Sequence, residues 1–209
     1  MQELLKRYPA LHACKNDIEL AFTMLADTYQ NGGKLLVCGN GGSASDSEHI
    51  VGELMKGFLL KRKIPDTIRK KIMEASPENG AFIGSNLQGA LPAISLVSHT
   101  SLTSSFANDI EPSLVFAQQV FGYGKACDTF LGLSTSGSSK NIVYAAEVAR
   151  ALGLKTIAMT GQSGGQLINI CECVIRVPSD KTPEIQELHL PVYHYLCSEL
   201  ESIFFGGDV

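Results

Sequence analysis

Five short apolar runs rich in β-branched residues recur along this chain: Lys34–Cys38, Pro92–Val97, Asp128–Leu133, Lys155–Met159 and Cys173–Val177. A strand with one face in water alternates apolar and polar residues, whereas these runs are apolar nearly throughout. Both of their faces are therefore expected to be covered, as in a parallel sheet. Helical patterns at about 12–30, 43–57, 99–122, 138–152 and 184–205 fill the gaps, the third broken near Pro112 because proline disrupts a helix interior. Strands and helices in this alternation predict an α/β fold, a doubly wound five-stranded parallel sheet flanked by helices. A chain of 209 residues with 44% hydrophobic content can bury such a core, and one domain over 1–209 is expected.

The net charge of −4 provides no basic footprint for nucleic acid, so nucleic-acid binding is not expected. The amino terminus, MQELLKRYPALHACKNDIEL, has scattered charges instead of a basic region followed by an apolar run, and no apolar stretch reaches membrane-spanning length. A cytoplasmic protein without a membrane partner is the expectation. The six cysteines, Cys14, Cys38, Cys127, Cys171, Cys173 and Cys197, form no C-x-x-C pair and read as reduced thiols in buried elements. Cys171 and Cys173, two apart on an expected strand, are predicted to share one face.

Two strands end in turns of small residues that feed directly into helices: Gly39-Asn40-Gly41-Gly42-Ser43 and Ser134-Thr135-Ser136-Gly137-Ser138-Ser139. In an open parallel sheet both turns lie at the carboxyl edge, where ligands bind. The first N–H groups of a helix lack intrahelical partners and face the positive end of its dipole, so an anion is stabilised there. Ser134, Ser136 and Ser139 add hydroxyls that can converge on one phosphate, and Gly137 permits close approach of the backbone. An ordinary N-cap is the simpler alternative. The first turn lacks the Gly-Lys-Ser/Thr of a nucleoside-triphosphate loop and the spacing of the dinucleotide fingerprint, so no nucleotide cofactor is expected.

The helix after the first turn carries His49 and Glu53, four residues apart and so on one face. A surface ion pair is the plain reading of such a pair; its closeness to the first turn makes it a candidate for chemistry. The last helix contains Gln186, Glu187, His189 and His194. At 100° per residue Glu187 falls nearly in line with His194, while Gln186 lies about 80° away. Spacing alone does not choose between them. The stretch from Leu59 to Ala90 breaks the strand–helix rhythm with Lys61, Arg62, Lys63, Arg69, Lys70 and Lys71, a short helical pattern after Pro65 and a Gly-rich return. It reads first as a solvated charged face, second as a lid whose cations help hold an anionic substrate.

Taken together, GNGGSASDSEHIVGEL (Gly39–Leu54), FANDI (Phe106–Ile110), GLSTSGSSKNIV (Gly132–Val143), MTGQSGG (Met159–Gly165) and EIQELHLPVYH (Glu184–His194) resemble the phosphoheptose (sedoheptulose-7-phosphate) isomerase family of the sugar-isomerase, or SIS, superfamily. The likeness covers most of the chain outside Leu59–Ala90, which is longer than the corresponding connection in the family; Ser179–Pro183 also departs from some members. The resemblance implies a flavodoxin-like SIS fold with an inserted segment at about 59–90. It further implies that Asn40, Gly41, Gly42 and Ser43 line a sugar-phosphate pocket, that Asn108, Asp109 and Gln186 contact substrate, and that Ser134, Thr135, Ser136 and Ser139 bind the phosphate. Glu53 matches the family's base and His194 its acid. Some members hold zinc with the counterparts of His49, Glu53, Gln186 and His194, all four of which are present. Members are commonly homotetramers with sites at subunit interfaces, so a homo-oligomer is expected.

The implied reaction, ketose phosphate to aldose phosphate through an enediol, moves one proton between carbons and another between oxygens. A carboxylate and an imidazole supply both transfers. Sedoheptulose 7-phosphate is the expected substrate. A non-catalytic SIS-fold sensor of sugar phosphate or a protein-binding regulator is the alternative from another class; such a module needs the serine loop but not Glu53 and His194. An isomerase for a different phosphosugar, with Leu59–Ala90 setting the choice, is a third.

Overall fold

Each of the five apolar runs forms a strand in the computed structural model, which describes residues 1–207. In chain order the elements are α1 (Gln2–Arg7), a 3₁₀ turn (Pro9–Cys14), α2 (Lys15–Gln30), β1 (Leu35–Gly39), α3 (Gly42–Met55), α4 (Asp66–Ala75), α5 (Gly80–Asn86), β2 (Ala93–Ser95), α6 (Thr100–Asp109), a 3₁₀ turn (Pro112–Leu114), α7 (Val115–Tyr123), β3 (Thr129–Leu133), α8 (Lys140–Ala151), β4 (Lys155–Thr160), a 3₁₀ turn (Gly165–Asn169), β5 (Cys173–Arg176) and α9 (Thr182–Phe205). The strands form one parallel sheet in the order β2-β1-β3-β4-β5, as the apolar runs required. Its strand order reverses between β1 and β3, and the two small-residue turns follow those two strands. A crevice at such a reversal is where open α/β sheets bind ligands.

The alternation along each strand sorts the core into two layers. Leu35, Val37, Leu131, Leu133, Ile157 and Met159 pack with α2, α3 and α9 on one face; Leu36, Cys38, Phe130 and Ala158 pack with α7 and α8 on the other. Pro112 does break the third helical pattern, into α6 and α7. Helix α1 and the short α5 carry too little periodic signal to have been expected; α5 lies in what read as a Gly-rich return.

The cysteine reading is corrected in two respects. Cys127 is exposed in the loop before β3, while the other five are buried, and none is in a disulfide. Cys171 precedes β5 instead of lying on it, so Cys171 and Cys173 enter the cores on opposite faces of the sheet. The charged segment at 59–90 also divides. Helices α4 and α5 pack on one another, and α4 contributes no buried residue to the body. Arg62, by contrast, is 2% exposed and pairs with the equally buried Glu201, their Nε–Oε1 distance being 2.7 Å. It belongs neither to a solvated face nor to a lid.

Candidate active site

The turn after β1 climbs into α3 through Gly41, whose φ of +56° favours glycine, and Gly42. A Cβ at Gly42 would sit 2.6 Å from Nε2 of Gln186, so the side-chain amide of α9 lies directly on the turn. Glu187, the other candidate on that helix, is exposed. The first turn of α8 is joined to the turn after β1 by a reciprocal amide pair: Asn40 Nδ2 donates to Asn141 Oδ1 and Asn141 Nδ2 donates to Asn40 Oδ1, each at 2.9 Å.

Ser134, buried at the end of β3, donates from its hydroxyl to that of Ser139 at 3.1 Å, and the Ser136 hydroxyl accepts from the Ser138 N–H. Donation by Ser134 leaves the Ser139 proton free to point elsewhere. Gly137 has φ +64°, and a Cβ there would collide with the carbonyl of Gly164. This turn is braced from behind by the segment MTGQSGG and the turn that follows it. Gly161 N–H donates to Thr135 O, Leu167 N–H to Gly137 O, and Gln166 N–H to Ser138 Oγ. Asn108 and Asp109, at the end of α6, are exposed and hydrogen-bonded to one another, with no bond to either turn among the described residues.

Helix α3 faces α9. His49 Nε2 lies 3.2 Å from Glu53 Oε1, and Glu53 is also 3.5 Å from Lys56 Nζ. The rings of His49 and His194 meet edge to face with centroids 5.0 Å apart, and Phe58 lies 5.4 Å from His194 on another side. Tyr193 places its hydroxyl 3.1 Å from His49 Nδ1 and donates to Asp46 Oδ1 at 3.2 Å. Burial holds the His194 imidazole below its ordinary value, His49 adds to that, and Glu53 partly opposes it. Burial raises the Asp46 carboxyl, against the Tyr193 hydrogen bond and His49. Nε2 of His194 is buried and, among the described residues, has no hydrogen-bond partner. A buried polar atom in that state is costly unless a ligand satisfies it.

The structure thus brings Asn40, Gly42 and Gln186 together on one side, Ser134, Ser136 and Ser139 in the braced turn, and His49, Glu53 and His194 in a third group. Asn141, Tyr193, Asp46 and Phe58 were missed as site residues. Asp46, His49 and Glu53 recur at three- and four-residue spacing on one helix, a visible signal; the partners of Asn141 and Phe58 come from distant elements and left none.

Zinc requires donors of a particular kind. Two imidazoles, a carboxylate and a carboxamide are compatible with it, and the partnerless Nε2 of His194 is a ready ligand atom. Among the described residues, however, no three His, Cys, Asp or Glu side chains converge as a metal-holding group.

The family model for the SIS domain matches residues 1–69 and 69–161. A phosphoheptose isomerase of Akkermansia muciniphila is 37% identical over 200 residues, which cover 96% of this chain and 92% of that protein. The chain belongs to the phosphoheptose isomerase family. Structures of family members agree with its fold. The phosphoheptose isomerase of Francisella tularensis matches with a TM-score of 0.77 at 33% identity, covering 94% of this chain and 91% of that one. The enzyme of Neisseria gonorrhoeae matches with 0.75 at 27% identity, covering 96% and 94%. Among the described residues no helix is long and apolar enough to cross a membrane.

Proposed function

We propose that this chain is an aldose–ketose isomerase that converts sedoheptulose 7-phosphate into a heptose 7-phosphate through an enediol. The observation that carries the reading is the buried Nε2 of His194, partnerless among the described residues, beside the His49–Glu53 pair. Ser134, Thr135, Ser136 and Ser139, with the first N–H groups of α8, hold the phosphate. Asn40, Gly41, Gly42, Ser43 and Gln186 line the sugar chain, and Asn108 and Asp109 contact it from α6. Glu53 takes the proton from the carbon next to the ketose carbonyl, leaving an enediol, and returns it to the neighbouring carbon. His194, whose imidazole burial lowers in pKa, passes a proton between the two oxygens and assists ring opening. A sensor of sugar phosphates would have use for the serine turn but none for this proton-transfer cluster.

Zinc held by His49, Glu53, Gln186 and His194 belongs to the same reading, supported by the donor chemistry; bound there, it would polarise a sugar oxygen. Metal analysis of protein purified without added zinc tests it. We further propose one SIS domain over the chain, with the segment at 59–90 inserted, acting in the cytoplasm as a homotetramer. The unpaired cysteines support a reducing compartment, and large exposed apolar side chains such as Leu59, Phe82, Ile110 and Phe121 support contacts between copies. Light scattering across dilution tests the assembly; a monomer at all concentrations counts against it.

The deciding experiment incubates the protein with a panel of ketose phosphates in deuterated water. Aldose product with carbon-bound deuterium from sedoheptulose 7-phosphate is the expected result. Exchange only with another ketose phosphate reassigns the substrate; tight binding without exchange makes the protein a sensor.

A further inference from the structure

The charged segment's one buried cation lies against the backbone of the helix that carries Glu53. Helix α3 ends at Met55, and Lys56 after it is extended, with φ −141° and ψ 175°, so no left-handed glycine closes the helix end. The guanidinium of Arg62 takes that place. Its Nη2 donates to the carbonyl of Glu53 at 2.8 Å and its Nη1 to that of Leu54 at 2.6 Å. A cation there also faces the negative end of the helix dipole.

The same guanidinium donates from Nε to Glu201 Oε1 at 2.7 Å, and its Cζ stands 4.9 Å from the centre of the Phe205 ring. Glu201 completes a second set of backbone contacts. It accepts from the N–H groups of Phe58 at 2.8 Å, Leu59 at 2.7 Å and Leu60 at 3.0 Å. Burial raises its carboxyl, but the donors of Phe58 and Leu59 and the Arg62 guanidinium more than offset this and hold it below the ordinary value. Phe58 is the ring that packs on His194, and Glu201 stands seven residues, about two turns, beyond His194 on α9.

We infer that the Arg62–Glu201 pair is a positioning device that sets where Glu53 and His194 stand relative to one another. It reaches the first through the carbonyls ending α3, the second through Phe58 and the shared helix α9. Backbone bonds of this kind also satisfy the remaining donors and acceptors of a buried ion pair, so a purely structural pair is distinguished from a positioning one by the effect of its loss on kcat. Apolar replacements of similar volume often match or exceed a buried ion pair in stability. The inference rests on the reading that Glu53 and His194 perform the chemistry.

Two variants test it. Arg62→Lys keeps the charge opposite Glu201 but loses the planar fork that reaches two carbonyls at once. The double variant Arg62→Met with Glu201→Leu replaces the pair by apolar volume and serves if the lysine variant does not fold. In the variant that folds, kcat for the sugar phosphate is expected to fall about tenfold or more, as for small misplacements of reacting groups. KM should stay within about twofold, because the phosphate turn is built on other elements. Amide exchange should accelerate in the last turn of α3 and at Phe58–Leu60. A folded variant with wild-type kcat, or with unchanged exchange in both stretches, overturns the inference. Wild-type protein that incorporates no deuterium into any sugar phosphate defeats the assigned function and this inference with it, whereas a folded variant with wild-type kcat on an active wild-type background defeats the inference alone.

Discussion

The two small-residue turns and the side-chain cluster between α3 and α9 are built from different materials. On the serine side, position depends on backbone: positive-φ glycines at 41 and 137, N–H groups at the start of α8, and main-chain bonds from the turn after β4. On the side of α3 and α9, position depends on side chains, with His49, Glu53, Tyr193 and His194 touching one another across two helices. Anchoring an anion requires many fixed donors, which the backbone supplies without rotamer freedom. Proton transfer requires groups that change charge, which only side chains provide. Substitutions on the two sides should accordingly separate into effects on folding and binding and effects on turnover.

The largest expected effect is on the side-chain side. Glu53→Gln keeps shape but removes the base, and turnover measured by product formation should fall roughly 10²- to 10⁴-fold while KM changes little. Near wild-type turnover on an active substrate would remove Glu53 from the mechanism. A second effect concerns stability behind the serine turn. His189 is fully buried, Nε2 lies 3.3 Å from the Thr160 carbonyl, and burial lowers its pKa to about 4 despite that bond. An unfolded histidine binds its proton near 6.5, so between pH 6.5 and about 4 the unfolded state holds more protons and stability falls as pH falls. The loss should approach roughly 3 kcal/mol at the lower end, read from urea melts, and His189→Gln should flatten the slope. An equally steep slope in that variant would place the titration elsewhere.

Gly137→Ala should act next. It meets both an unfavourable φ and the Gly164 carbonyl, so stability should drop by more than about 1 kcal/mol and KM for the phosphorylated sugar should rise, with kcat at saturation less affected. A loss confined to kcat would erase the division between the two sides. The smallest change is expected from Asn141→Ala, which frees Asn40 from its amide pair. A net contribution of about 1 kcal/mol from the two bonds of the pair corresponds to a rise of about fivefold in KM. No change in KM would show that Asn40 does not depend on the bridge between the turns.

Much of the anchoring side was legible along the chain, because glycine, serine and the strand-to-helix junction are local signals. The His49–Glu53 pair was legible for the same reason, as an i, i+4 spacing on one helix. Gln186 was not. The wheel placed Glu187 nearer the line of His194, and the resemblance favoured Gln186; its contact with Gly42 is visible only once α9 crosses the turn after β1. The charged segment was the least legible. Lys61, Arg62 and Lys63 look alike in sequence, yet Lys61 and Lys63 are exposed and Arg62 is buried.

Short-range order was thus determined by the sequence itself: the apolar runs, their two-sided burial, the helices between them and the glycine turns. Hydrophobic period and backbone permissiveness act over a few residues, and any packed arrangement of this chain must satisfy them. The partner of Arg62 lies 139 residues away, that of Asn40 101 residues, and Tyr193 meets His49 across 144. Those pairings have no periodicity to reveal them, and only the packing of α3, α8 and α9 around the reversal between β1 and β3 decided which side chains would meet.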